Sequence, residues 1–322
     1  MLAVRLRILT LLGAVAILSN AVAEPTNRVF VTNEKDNTVT AINAKTHEIE
    51  GKISIGNRPR GIGISLDHQE VYVAISAENA IAVFDPKTLK VLRKFPAGSD
   101  PETFAVHPTT GNLYISNEDS AKASVFDPKT GKLLAEAPVG IEPEGVIIAP
   151  DGKQVIVTSE ATHSLHFISI PEHKVLATLE VGGRPRAAAF TQDSQFAFST
   201  SELTAEIKKI DMQKHEVVKT FSLSSIEKAK PKDIVFSKDQ KTLYVALGRA
   251  SAVAVIDVET LSLKTTIAVG ERVWGLALSK DGSRLYSTNG GNDTVSIIDT
   301  ANNTVLAHVN TGKAPWGVVI DD

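Results

Sequence analysis

Seven residues of mixed chemistry recur at one register of this 322-residue chain: Arg60, Glu102, Glu144, Arg186, Lys232, Trp274 and Trp316. Successive members stand 42 residues apart, except for a step of 46 between Arg186 and Lys232. All but Trp274 directly follow a proline. A position that served only the fold would drift toward one residue type. This one holds bases, acids and both tryptophans of the protein. Cations beside aromatic faces suit a flat anion, and carboxylates beside bases suit proton transfer. A second register carries Glu34, Glu118, Glu160 and Glu202, with Ser76, Gly248 and Gly290 in its other places. Arg58, Arg184, Arg249 and Arg272 lie nearby in sequence. The competing expectation is a solvated polar rim whose exposed ion pairs are worth about 0–1 kcal/mol each.

The elements that must position these residues follow from the repeat itself. Asp85, Asp127, Asp211, Asp257 and Asp299 form one column, with Asn43 and Ser169 filling its gaps. Gly56, Gly98, Gly140, Gly182, Gly270 and Gly312 form another, with Ser224 in the missing place. The step of 46 places a four-residue insertion, "IEKA", at 226–229, which reads as a surface bulge. Each unit holds four short apolar stretches split by turn residues. In one unit they are "EGVIIA" (144–149), "QVIVTS" (154–159), "HSLHFIS" (163–169) and "VLATLEV" (175–181). These are strand and hairpin signals. Four strands repeated seven times predict an all-β, seven-bladed β-propeller over 24–322.

With strands named a to d from the axis outward, the N-terminal blade begins on strand b at 28–33. It continues through c at 38–43 and d at 48–55. Its missing strand a is supplied by the tail, 315–320, which closes the ring and removes an open inner edge. In such a meander the d–a and b–c connections share one face. Both mixed registers therefore belong to one mouth of the central channel. Trp274 and Trp316 are expected side by side, between Lys232 and Arg60, with Glu102, Glu144 and Arg186 opposite. Along strand a, larger residues such as Ile62, Phe104, Val146 and Leu276 alternate with small ones such as Gly61, Ala187 and Gly275. That alternation predicts packing between blades.

Residues 1–23 carry Arg5 and Arg7, an apolar run from Ile8 to Leu18, and Ala21 and Ala23. This is the pattern of a secretory signal peptide cleaved after Ala23, so a periplasmic, exported protein without a stable membrane anchor is expected. The run is short for a permanent membrane span. Loss of the two arginines makes the formal charge of −3 two units more negative, which disfavours nucleic acid as a partner. The absence of cysteine excludes disulfides, thiolate metal sites and C-x-x-C-H haem attachment. His163 and His166 would point to opposite faces of a strand, so no metal site is expected there. "NEKDN" (33–37) and "NGGND" (289–293) read as hairpin turns.

The strands "VFVTN" (29–33), "LYISN" (113–117) and "LYSTN" (285–289) resemble the YVTN family of propeller repeats across essentially all of 24–322. "RPRGIGIS", "DPETFAVHP", "EPEGVIIAPDGK", "VGERVWGLALS" and "APWGVVI" are similar to the PQQ-dependent catabolism-associated β-propeller proteins. "EKAKPKDIVFS" (227–237) departs from that pattern. The resemblance implies an accessory role in periplasmic quinoprotein alcohol oxidation and an associated ABC transport system, with no defined activity. It implies a non-catalytic binder of a small molecule or of a periplasmic protein. PQQ or another quinone would be the ligand, and a quinoprotein dehydrogenase or ABC transporter component the partner. The alternatives are an interaction scaffold for those proteins, and a lactone hydrolase using Glu102, Glu144 and Arg186, since some propellers with similar repeats hydrolyse lactones.

Overall fold

The computed structural model describes residues 22–322; the expected signal peptide lies almost wholly outside them. The described residues form seven four-stranded antiparallel sheets. The sheets are arranged as blades, with apolar clusters between neighbours. One such cluster joins Phe30, Val39 and Ala41 of the first blade to Val73, Ala82 and Phe84 of the second. Ring closure follows the expected route. The tail strand Pro315–Asp321 pairs with Arg28–Asn33, followed outward by Thr38–Asn43 and Ile49–Ser54. The column aspartates close the c–d turns: Asp85, for example, accepts the N–H groups of Lys87 and Thr88 at 2.8 and 2.9 Å. No helix among the described residues is long and apolar enough to cross a membrane.

Two local features set the innermost strands. First, strand a carries one extra residue against strand b. Pro59 pairs with Ile75 but Ile62 with Val73, and the same slip recurs at Pro101, Pro143, Pro185, Val273 and Pro315. The residue after the proline sits on this bulge, and bulges re-aim side chains. Second, the hydroxyl of the "VTN"-type strand satisfies the bulge. Thr32, Ser116, Thr158, Thr200 and Thr288 are buried on strand b. Each accepts the N–H of the residue after the mixed-register residue in its own blade. Each also donates to the carbonyl of the mixed-register residue in the next blade: Arg60, Glu144, Arg186, Lys232 or Trp316. A belt of hydroxyls thus holds the backbone under the mouth and links blade to blade.

The small residues of strand a face the neighbouring blade; a Cβ on Gly61 would come within 2.9 Å of the Thr103 Cα. The larger ones pack between blades as expected: Ile62, Phe104, Val146 and Leu276 each join an apolar cluster shared by two blades. Val146, Ile148 and Leu276 also border a central cavity. One expectation needs correction: the insertion at 226–229 is not a free bulge. Ala229 is buried and Ile226 packs on the same core cluster, while Glu227 and Lys228 remain exposed.

Candidate functional site at the channel mouth

The mixed registers converge into one connected mouth. Going round from the ring closure, the Arg60 guanidinium lies 5.5 Å from the Trp316 ring centroid. It pairs with Glu34 at 3.0 Å and with Glu102. Arg58 joins Glu102 at 3.3 Å to Asp100 at 3.0 Å. Carboxylate oxygens of Asp100, Glu102 and Glu118 lie within 4.8 Å of one another, and Arg58 supplies positive charge there. Further round, Arg186 holds Glu144 at 3.1 Å, Glu202 at 2.6 Å and Glu160. Arg184 pairs with Glu160, and Lys232 with Glu202 at 2.7 Å. The circle ends on Trp274, whose ring has Lys232 at 4.3 Å, Arg272 at 5.3 Å and Arg186 at 5.4 Å. The Trp274 and Trp316 rings stack at 5.9 Å, 28° from parallel. Arg186 therefore reaches over Trp274, where the sequence placed it opposite. Gly290 makes room for this indole: a Cβ there would stand 3.0 Å from Trp274 Cδ1.

Nor is this a solvated rim. Glu102 is fully buried, and Glu144, Glu160, Arg186, Glu202 and Lys232 are each less than one-tenth exposed. Buried charges must be paired, and the pairing divides their protonation. Burial would raise Glu144, but Arg186 and then Arg60 bring it below the usual carboxylate range. Burial, and then the charge of Glu144, push Glu160 up to about 8. Glu102 rises for the same two reasons, against the pull of Arg60. Burial tends to raise Glu202, but Arg186 and Lys232 overcome it and hold it low. Lys232 falls to about 8 through burial and then through Arg186. Near neutral pH, Glu144 thus stays ionised while Glu160 keeps its proton.

Beneath the mouth is a cavity of about 440 Å³. Glu144, Arg186, Lys232, Trp274 and Trp316 border it above, and Val146, Ile148, Ala189, Ile234 and Leu276 line it below. Pro150 and Gln240, from turns of the opposite face, border its far end. Trp316 Nε1 is buried and has no hydrogen-bond acceptor. An orphaned indole donor is rare, because tryptophan usually satisfies it.

Residues 101–279, more than half of the chain, match the choice-of-anchor I domain family. The chain belongs to that family. Residues 21–138 also match the family described as Lactonase, 7-bladed beta-propeller. No curated protein matches the chain. Among solved structures it is similar to hydrazine synthase of Kuenenia stuttgartiensis, with 19% identity and a TM-score of 0.72, over 80% of this chain and 88% of that one. A functionally unknown protein of Desulfotomaculum acetoxidans aligns at 17% identity and TM-score 0.78, over 92% and 99% of the two chains. A candidate 6-phosphogluconolactonase of Bacteroides fragilis aligns at 18% and 0.77, over 93% and 100%. At these identities the likeness is one of fold.

One residue of this choice-of-anchor I propeller escaped the sequence reading. Asp233 follows Lys232 and lines the cavity. Its register otherwise holds Gly61, Thr103, Gly145, Ala187, Gly275 and Gly317, so a carboxylate among small residues was the available signal. Strand a here spans only Ile234–Phe236. Ala246 stands where Thr288 or Thr32 would supply a hydroxyl, and Asp233 bridges to the next blade by accepting the Leu276 N–H at 2.8 Å.

Proposed function

We propose that this protein is an exported, non-catalytic propeller whose channel mouth binds a small, flat anion, with PQQ or another quinone acid as the class that fits. The reading is carried by the Trp316 indole. It is stacked on Trp274, borders the cavity, lies beside a ring of cations, and has an unanswered donor. A planar carboxylate or quinone oxygen answers that donor, while its ring is offered the aromatic stack. The repeat motifs and the leader support placing the protein in the periplasm, accessory to quinoprotein alcohol oxidation and its transport system. Trp274 and Trp316 are the chain's two tryptophans, so intrinsic fluorescence reports on the mouth alone. Titration with PQQ should quench it. Trp316→Phe, which keeps a ring but removes the donor, should weaken binding about tenfold, or about 1.4 kcal/mol. No response to PQQ, to other quinones or to aromatic acids would remove the reading.

A second reading has its own support. Glu144 and Glu160 meet at Arg186 with split protonation, which suits acid–base chemistry on a lactone. Part of the chain also matches a lactonase family. Turnover of 6-phosphogluconolactone that is lost in Glu144→Gln would favour it over simple binding.

A further inference from the structure

Asp233 raises a question that the mouth alone does not answer. Elsewhere a neutral serine or threonine links blade to blade, so stapling does not require a charge. Among the described residues bordering the cavity, Glu144, Arg186 and Lys232 are the other charged groups, all at the mouth. Lys232 is engaged by Glu202 at 2.7 Å. Asp233 has no ion pair among the described residues; its oxygens accept the N–H groups of Ile234 and Leu276, both at 2.8 Å. Each oxygen keeps a lone pair. Lys232 and Asp233 are consecutive and both border the cavity, so one molecule held there meets the mouth and the level beneath it.

We propose that Asp233 is the specificity-determining group of the channel, selecting aromatic acids that carry a hydroxyl or ammonium donor at the end remote from their carboxylate. The carboxylate stays with the mouth cations and tryptophans, and the donor meets Asp233 below. A charge-assisted bond rewards such a donor. Among one-ring acids, a second carboxylate placed at that remote end meets like charge in an apolar surround and is disfavoured. Burial without a countercharge pushes Asp233 up to about 6, so at neutral pH the carboxylate is mostly ionised.

This inference rests on the mouth being a binding site, and the test separates the two. Benzoate, 4-hydroxybenzoate, 4-(aminomethyl)benzoate and terephthalate are titrated calorimetrically into the full chain at pH 7.5. The aminomethyl and hydroxy acids should bind about tenfold tighter than benzoate, and terephthalate about tenfold weaker. In Asp233→Asn, with its melting transition checked, those differences should collapse to within about twofold. Binding of all four with equal affinity overturns the role of Asp233 and leaves the mouth standing. Binding of none, while PQQ still quenches the tryptophan emission, overturns the role of Asp233 alone; binding of none together with no response to PQQ or other quinones overturns both. If the variant does not fold, the wild-type series decides the matter by itself.

Discussion

Arg186 is the residue on which most of the mouth's charge depends. It touches Glu144, Glu160 and Glu202 and lies over Trp274. Removing one partner of a buried pair leaves the other uncompensated, at a cost of about 3–5 kcal/mol. Arg186→Ala should therefore lower the stability read from denaturant midpoints by about that amount, far more than an exposed pair such as Lys122 with Glu136 would. The split carboxylates give a pH signature. Glu160 is raised from 4.5 to about 8, so the folded state holds more protons than the unfolded state between those values. Stability from this group is full below about 4.5 and is lost as pH rises through 8. Lys232, lowered from 10.5 to about 8, works the other way and regains stability above 8. The melting temperature should fall from pH 5 to 8, and Glu160→Gln should make that fall shallower, the remainder coming from Glu102, which burial also raises. A variant as steep as wild type would show that Glu160 is not the titrating group. The seven mouth residues were legible because a repeat makes unlike residues in one register conspicuous. Their burial was not, since it depends on how far the next blade's arginine reaches.

Among the elements, strand b does more than its hydrophobic alternation suggests. The second letter of "VTN" and its variants is the hydroxyl that satisfies a strand-a bulge and the next blade's backbone. Thr288 shows both bonds: the Gly275 N–H at 2.8 Å and the Trp316 carbonyl at 2.7 Å. Thr288→Val keeps the shape and leaves two buried backbone groups unanswered, each worth about 1–3 kcal/mol. The expected result is a loss of about 2–6 kcal/mol, accompanied by a shifted tryptophan emission, because Trp316 sits on that carbonyl. Ala74 and Ala246 take the corresponding places in two other strands. There the links come from Ser76, which bonds the Pro101 carbonyl at 2.8 Å, and from Asp233. Strand boundaries were readable from the 42-residue period and the turn aspartates. The bulge was not, because one extra residue in strand a leaves no trace in composition. The insertion at 226–229 was located by the broken period, but its packing through Ile226 and Ala229 depends on a neighbouring core that the local sequence does not display.

At the scale of the molecule, ring closure determines whether the mouth exists. Trp316 and its neighbour Arg60 belong to consecutive blades, and the tail strand brings them together. Beyond strand pairing, Asp321 latches the closure. It is fully buried and accepts the Thr26 N–H at 2.8 Å and the Thr26 hydroxyl at 2.6 Å, with His68 Nδ1 at 2.6 Å. The latch thus ties the tail to the first strand of its own blade and to the blade beside it. A chain truncated after Gly312 loses strand a of that blade, the Thr32 bond to Gly317 and half of the tryptophan stack. The inner edge of Arg28–Asn33 is then open, and open edges invite pairing with other chains. The truncated protein should aggregate, melt lower and less cooperatively, and fail to respond to PQQ. Asp321→Asn is the milder counterpart, since it keeps the strand and weakens only the latch. It should melt lower than wild type while retaining ligand response. If the truncated chain stays monomeric with an unchanged melting midpoint, closure by the tail is dispensable and the mouth must be held by the other blades alone.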